Sequence, residues 1–170
     1  SNVAILINSK DIAKIFKQEF EQMYDGKFHN EKIAILDNEN IKLGKTIISV
    51  YFSPINKATT EQIIPLIKTA KSYIYIPVFY LTRKSIIYEL IEAKKRGVEI
   101  KIIVDETSVK GKYIDIDFIK NNGINVKIEN WPGKMHMKSI IIDDENLVIG
   151  SMNFTKQGER MNDENCLIIR

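Results

Sequence analysis

A chain of 170 residues, 44% hydrophobic and 28% charged, has the size and composition of one globular domain with a core of its own. Its net charge of +3 permits an anionic substrate without requiring one, and the lone Cys166 excludes both an intrachain disulfide and a cysteine-based zinc site. No apolar run approaches the roughly twenty residues of a membrane-spanning helix, and the N-terminus lacks a charged segment followed by an apolar one. No signal or anchor is therefore expected within these 170 residues, which leave the compartment unspecified.

In chain order, Ser9 predicts the cap of a helix over residues 11–24, with Ile12, Ile15, Phe16, Phe20 and Met23 along the face that packs on a sheet. Residues 25–45, with Gly26, Asn30, Asn38, Asn40 and Gly44, read as a connector with little regular structure. From residue 46 strands and helices alternate: a strand over 47–52, a helix over 60–71 with Pro65 predicting a late start or a kink, a strand over 73–78, and a helix over 83–96. Thr82 is the expected cap of that last helix and Gly97 its terminator. A buried strand over 98–104, a short helix over 114–122 ending at Gly123, and a strand near 126–128 follow. Two apolar runs, 139–142 and 147–149, flank Asp143-Asp144-Glu145-Asn146 as an antiparallel hairpin; a short helix over 155–161 and a strand over 166–169 close the chain. This order predicts an α/β fold with a mixed, largely parallel sheet and helices on both faces.

Asn165 to Arg170 repeats the pattern of Asn2 to Ile7, each an Asn followed by an apolar strand. Residues 1–45 are accordingly expected to hold a strand and helix that close a preceding repeat, plus the connector, and residues 46–170 to form the domain that carries the chemistry.

That chemistry is concentrated in His136-Met137-Lys138, Asp143, Gly150-Ser151-Met152-Asn153 and Asn162-Asp163-Glu164-Asn165. In an extended segment His136 and Lys138 project to one side while Met137 faces the core, so one phosphate could touch both. An imidazole can attack phosphorus while an ammonium compensates the oxygen charge. Ser151 and Asn153 share the same spacing and could donate to the same nonbridging oxygens. A histidine nucleophile is best oriented by a carboxylate on its other nitrogen, and Glu164 is the candidate. Asp143 has odd spacing from His136, which points to a structural salt bridge or turn bond, and Ser151 and Asn153 are also ordinary turn residues after Gly150. His29, in a Gly- and Asn-containing connector, reads as a surface residue, and Cys166, among Leu167, Ile168 and Ile169, as a core thiol. Asp105 and Tyr80 each end a strand where they could line a cleft, although Asp105 could equally cap a helix.

These residues resemble the phospholipase D superfamily motif, His-x-Lys-x4-Asp followed by Gly-Ser-x-Asn, here His136, Lys138, Asp143, Gly150, Ser151 and Asn153. The flanks around Gly150 to Lys156 and Asn162 to Asn165 are similar to the small bacterial nuclease-type members and the mitochondrial phospholipase D-like proteins. The resemblance is specific over residues 131–170 and extends weakly to about residue 46. It implies His136 as nucleophile forming a phosphohistidine, Lys138, Ser151 and Asn153 as phosphate ligands, Glu164 as the residue positioning His136, Asp143 and Gly150 as structural positions, and no metal or other cofactor. It also implies a second motif, supplied by a homodimer partner or by a missing N-terminal repeat. The leading expectation is a phosphodiesterase acting on nucleic acid. A phospholipid head-group diester and a non-catalytic binding or dimerisation half are the alternatives. A row of Lys110, Lys112, Lys134, Lys156 and Arg160 near Trp131 would favour nucleic acid, and an apolar channel would favour lipid.

Overall fold

The computed structural model describes residues 2–111 and 113–170, so the expectation for Lys112 lies outside the described residues. Eight strands form one sheet in the order β1-β2-β8-β7-β6-β3-β4-β5: β1 Ile41–Leu43, β2 Thr46–Ser53, β3 Tyr73–Val78, β4 Glu99–Asp105, β5 Asn125–Glu129, β6 Ser139–Ile142, β7 Asn146–Gly150 and β8 Glu164–Ile169. The helices are α1 Lys10–Tyr24, α2 Ile64–Thr69, α3 Lys84–Lys95, α4 Glu106–Lys110, α5 Ile116–Asn121 and α6 Lys156–Arg160.

The sheet is mixed, as expected, but its parallel share is smaller. Only the β3–β4 and β4–β5 pairs are parallel. Those pairs have helical crossovers between their strands, whereas β6 and β7 are joined by a tight turn that can only return antiparallel. Asp143 and Asp144 both take φ near +57° in that turn, a left-handed pair suited to a hairpin. The β1–β2 hairpin was not foreseen, because the three residues of β1 are too few to show a period and sit among turn-forming Asn and Gly.

One face of the sheet carries the main core. Ile74, Ile76 and Val78 of β3 and Ile100, Ile102 and Val104 of β4 alternate toward α2, α3 and α5, where Ile63, Ile67, Ile86, Leu90 and Ile119 meet them. The other face is covered by a helix only where α1 lies: Ile12 and Ile15 pack with Ile48, Val50, Phe52, Ile149 and Leu167. That explains why β2 is buried on both sides over most of its length. Beyond α1 the same face of β4 is open, and Ile103 is 41% exposed. The expectation of helices on both faces therefore holds for the β2–β8 half alone.

The N-terminal segment differs from expectation. Residues 2–8 form no strand in this structure, and Leu6 is 99% exposed. The segment pairs with none of the eight strands. Helix α1 begins as predicted, with the Ser9 hydroxyl accepting the Ile12 N–H at 3.3 Å, but Phe20 points away from the sheet. Pro65 follows directly on a π-helical turn over Thr59–Ile63, an irregularity that carries the helix past a residue without an N–H. Helix α3 is capped by the backbone of Arg83 and not by Thr82.

Strand register makes a direct test of this layering. Ile102→Ala, in the core, should lower the unfolding free energy by about 2–5 kcal/mol. The adjacent Ile103→Ala, on the open face, should change it by less than about 1 kcal/mol; chemical denaturation of both variants measures the contrast.

Candidate active site

The segment before β6 carries His136 and Lys138, and three backbone contacts hold it. Phe79 donates its N–H to the Met137 carbonyl at 2.8 Å, Val78 and Lys138 form an antiparallel bridge, and the Asp105 carboxylate accepts the Met135 N–H at 2.9 Å. His136 is therefore tied to the ends of β3 and β4, the region where parallel strands present ligand sites. Its ring meets the Phe79 ring edge-on at 4.7 Å.

Lys138 is 5% exposed. Its ammonium donates to the His136 carbonyl at 2.8 Å and lies 5.3 Å from the centre of the Phe79 ring. Burial pushes its pKa below the ordinary lysine value, and the negative charge of Glu164 opposes that shift. Partial desolvation, followed by the Lys138 charge, holds the His136 imidazole below its ordinary value, with Asp105 acting in the opposite direction. At neutral pH His136 is thus kept in the form that has a free lone pair.

Ser151 and Asn153 follow β7. The Ser151 hydroxyl accepts the Asn165 N–H at 3.0 Å, and the Ser151 and Met152 N–H groups donate to the Asn165 carbonyl at 3.1 and 3.3 Å. Gly150 is required by this close approach, because a Cβ there would lie 2.2 Å from the Asn165 carbonyl oxygen. Asn153 is held from behind by α6: its carbonyl accepts the Thr155 N–H at 2.7 Å, and a Cβ at Gly158 would lie 2.3 Å from that same oxygen. The Asn153 Oδ1 is buried without a protein hydrogen-bond partner.

His136, Lys138, Gly150, Ser151, Asn153 and Glu164 line one cleft of about 780 Å³, together with Asn165. The opposite wall is apolar, built from Val3, Ile5, Ile7, Phe16, Ile149 and Leu167. Glu164 enters the cleft but does not reach the imidazole. Its carboxylate accepts from Asn162 Nδ2 at 3.2 Å and its charge acts on Lys138. The orientation of His136 comes instead from Phe79 and from the bonds to Met135 and Met137.

Asp143 lies at the far end of β6, where its carboxylate accepts the N–H groups of Lys71, Ser72 and Tyr73 at 2.7, 2.8 and 2.9 Å. Asp105 caps α4 through the Thr107 N–H at 2.8 Å and is 2% exposed. Burial would raise its pKa, but the hydrogen bonds from Thr107 and Met135 outweigh it and the net shift is downward. Tyr80 does not line the cleft; it packs between Phe79 and Tyr113 at ring distances of 4.3 and 5.4 Å. Of the lysine and arginine row, Lys110 pairs with Glu106 at 2.8 Å, Lys134 lies 5.8 Å from the Phe79 ring centre, and none of the four described members lines the cleft. Trp131 is exposed. His29 is on the surface as expected, yet its ring meets Asp163 at 3.0 Å, a pairing that no local spacing could show.

An imidazole, a buried ammonium, a hydroxyl and a carboxamide thus face one cleft. Residues 63–170 match the family model described as "Cardiolipin synthase, PLD-like domain", and the chain belongs to this family of phospholipase D-like domains. It is 34% identical over 128 residues to the phospholipase D of Rickettsia bellii (strain RML369-C), a match covering 75% of this chain and 63% of that protein. With the phospholipase D of Rickettsia prowazekii (strain Madrid E) it shares 32% identity over 146 residues, 82% of this chain and 71% of that one. The fold is similar to the crystal structure of the phospholipase D family member Nuc from Salmonella typhimurium, with a TM-score of 0.66 and 32% identity over 74% of this chain and 83% of that one. The chain thus spans less than two thirds of the Rickettsia bellii relative's length.

Because the folded state holds His136 neutral, its ring signals should titrate at a lower pH than the ordinary value of about 6.5. The Lys138→Met variant should move that titration upward, since the second-largest depressing influence is the Lys138 charge. An NMR titration of the two histidines in the chain reads both.

Proposed function

We propose that the chain carries one half of a phosphodiesterase site in which His136 attacks the phosphorus of a diester. The convergence of His136, Lys138, Ser151 and Asn153 from two separate strand ends on one cleft carries this reading. The imidazole nitrogen forms a bond to phosphorus while the bond to the leaving oxygen breaks, and that oxygen takes a proton and departs as an alcohol. Lys138 carries a positive charge, Ser151 a hydroxyl proton and Asn153 amide protons toward the nonbridging oxygens, where charge builds in the transition state. Water then attacks the phosphohistidine, the phosphorus–nitrogen bond breaks, and a phosphomonoester is released. The proton for the leaving oxygen comes from an opposing motif, contributed by a second copy of the chain or by a preceding repeat. Residues 1–45 act as the end of that preceding repeat and residues 46–170 as the catalytic domain. Glu164 keeps Lys138 charged, and Asp143 and Gly150 serve as scaffold.

Nucleic acid is the first substrate reading, supported by the run of rings from His136 through Phe79 and Tyr80 to the exposed Tyr113, with Lys134 beside Phe79. The apolar wall of Phe16, Ile149 and Leu167 supports a second reading, a phospholipid diester.

Incubation with bis-p-nitrophenyl phosphate should release nitrophenol and trap an acid-labile phosphoryl group on the chain. His136→Ala should abolish both, and EDTA should leave the rate unchanged. Full activity in the alanine variant, or loss with EDTA, overturns the mechanism. With nitrophenolate, a leaving group that needs no proton, activity is expected to rise as His136 loses its proton below about pH 6.5. Competition of the assay by a single-stranded oligonucleotide and by phosphatidylglycerol vesicles separates the two substrates. A segment that is strictly monomeric in solution and inactive is the outcome expected of a non-catalytic half.

A further inference from the structure

The loop that delivers Glu164 is held by residues outside the matched region. Lys32 is a buried lysine whose side chain has no exposed surface, and its ammonium has three acceptors: the Glu19 carboxylate, Asp163 Oδ1 at 2.8 Å and the Ser53 carbonyl at 3.0 Å. Three donors meet three acceptors, so the group is fully satisfied. Asp163 is bound twice more from the same segment, by the His29 N–H at 2.9 Å and the His29 ring at 3.0 Å. Ser53, opposite Glu164 in the β2–β8 register, donates its hydroxyl to the Asn162 carbonyl at 2.9 Å. Residues 162 and 163 are thereby fixed on both sides, and Glu164 emerges from them into the cleft.

We propose that Lys32 is a positioning residue of the phosphate site: by drawing Asp163 against Glu19 and Ser53 it sets where Glu164 stands relative to Lys138. The inference rests on the phosphodiester reading for the site's purpose, but its geometry does not depend on it. Lys32, Glu19 and His29 all precede residue 63, where the family match begins. The N-terminal unit is then a working part of the site and not a tether. Without the ammonium, Glu19 and Asp163 would face each other as buried like charges, and the loop would relieve that by moving. Glu164 would move with it, and the buried Lys138 would lose the carboxylate that opposes its desolvation. Displacing a charged group at a phosphate site by about 1 Å can cost ~100-fold in function.

The test compares the intact chain with Glu19→Gln/Lys32→Met, which removes one charge of each sign at nearly constant volume. Inorganic phosphate binding is read from the His136 ring signal, and hydrogen exchange is followed through the chain. The double variant should stay folded, bind phosphate with a changed affinity, and exchange faster at residues 162–166 while β3 and β4 keep their protection. A folded variant with unchanged phosphate affinity overturns the proposal, as does exchange that quickens equally in β3 and β4. If the double variant does not fold, Asp163→Asn is read by the same criteria. An intact chain that hydrolyses no diester while these shifts occur sinks the phosphodiesterase reading and leaves the Lys32 role standing. An active chain without the shifts does the reverse.

Discussion

The seam between β6 and β3 is the contact on which the rest of the molecule depends. It joins the parallel unit β3-β4-β5 to the antiparallel unit β6-β7-β8-β2-β1, and it is pinned at both ends. At one end Asp143 gathers three backbone N–H groups at the start of β3; at the other the Phe79 N–H and the Val78 bridge seize Met137 and Lys138. Five residue steps separate Lys138 from Asp143, about 17 Å of extended chain. The spacing of the motif is thus the length of a strand, with the chemistry at one end and the anchor at the other.

Burial of Lys138 follows from that seam and shapes the electrostatics of the site. A lysine placed beside a strand end, under Phe79, donates to the His136 carbonyl and has Glu164 as its counter-charge. Its ammonium is poorly solvated, and an anion entering the cleft would restore what burial removed. The same desolvation acts on His136, so one environment prepares a neutral base and an undersolvated cation side by side. The two shifts have a common cause, which is the shape of the cleft.

Close backbone contacts complete the arrangement. Gly150 lets β7 approach Asn165, and Gly158 lets α6 lean on the Asn153 carbonyl. Neither glycine there serves a turn; each removes a Cβ that would collide with a backbone carbonyl beside the cleft. On the far side, the charge cluster of Glu19, Lys32 and Asp163 joins α1 to the loop before β8, so the two cores flanking the sheet share responsibility for a single cleft.

What the sequence by itself determined is local and periodic. Ser9 announces the helix it caps, Ile74, Ile76 and Val78 alternate because one face of a strand is buried, and the spacing of His136, Lys138, Ser151 and Asn153 marks the residues that line the cleft. Tertiary structure alone decided what depends on which strands become neighbours. Glu164 acts electrostatically on Lys138, and a buried triad of Glu19, Lys32 and Asp163 joins positions more than a hundred residues apart. The segment 2–8, apolar enough to be a strand, pairs with none of the eight strands. Periodicity records which side of an element is buried, but it carries no information about the element across from it, and electrostatic partners are set by that second fact.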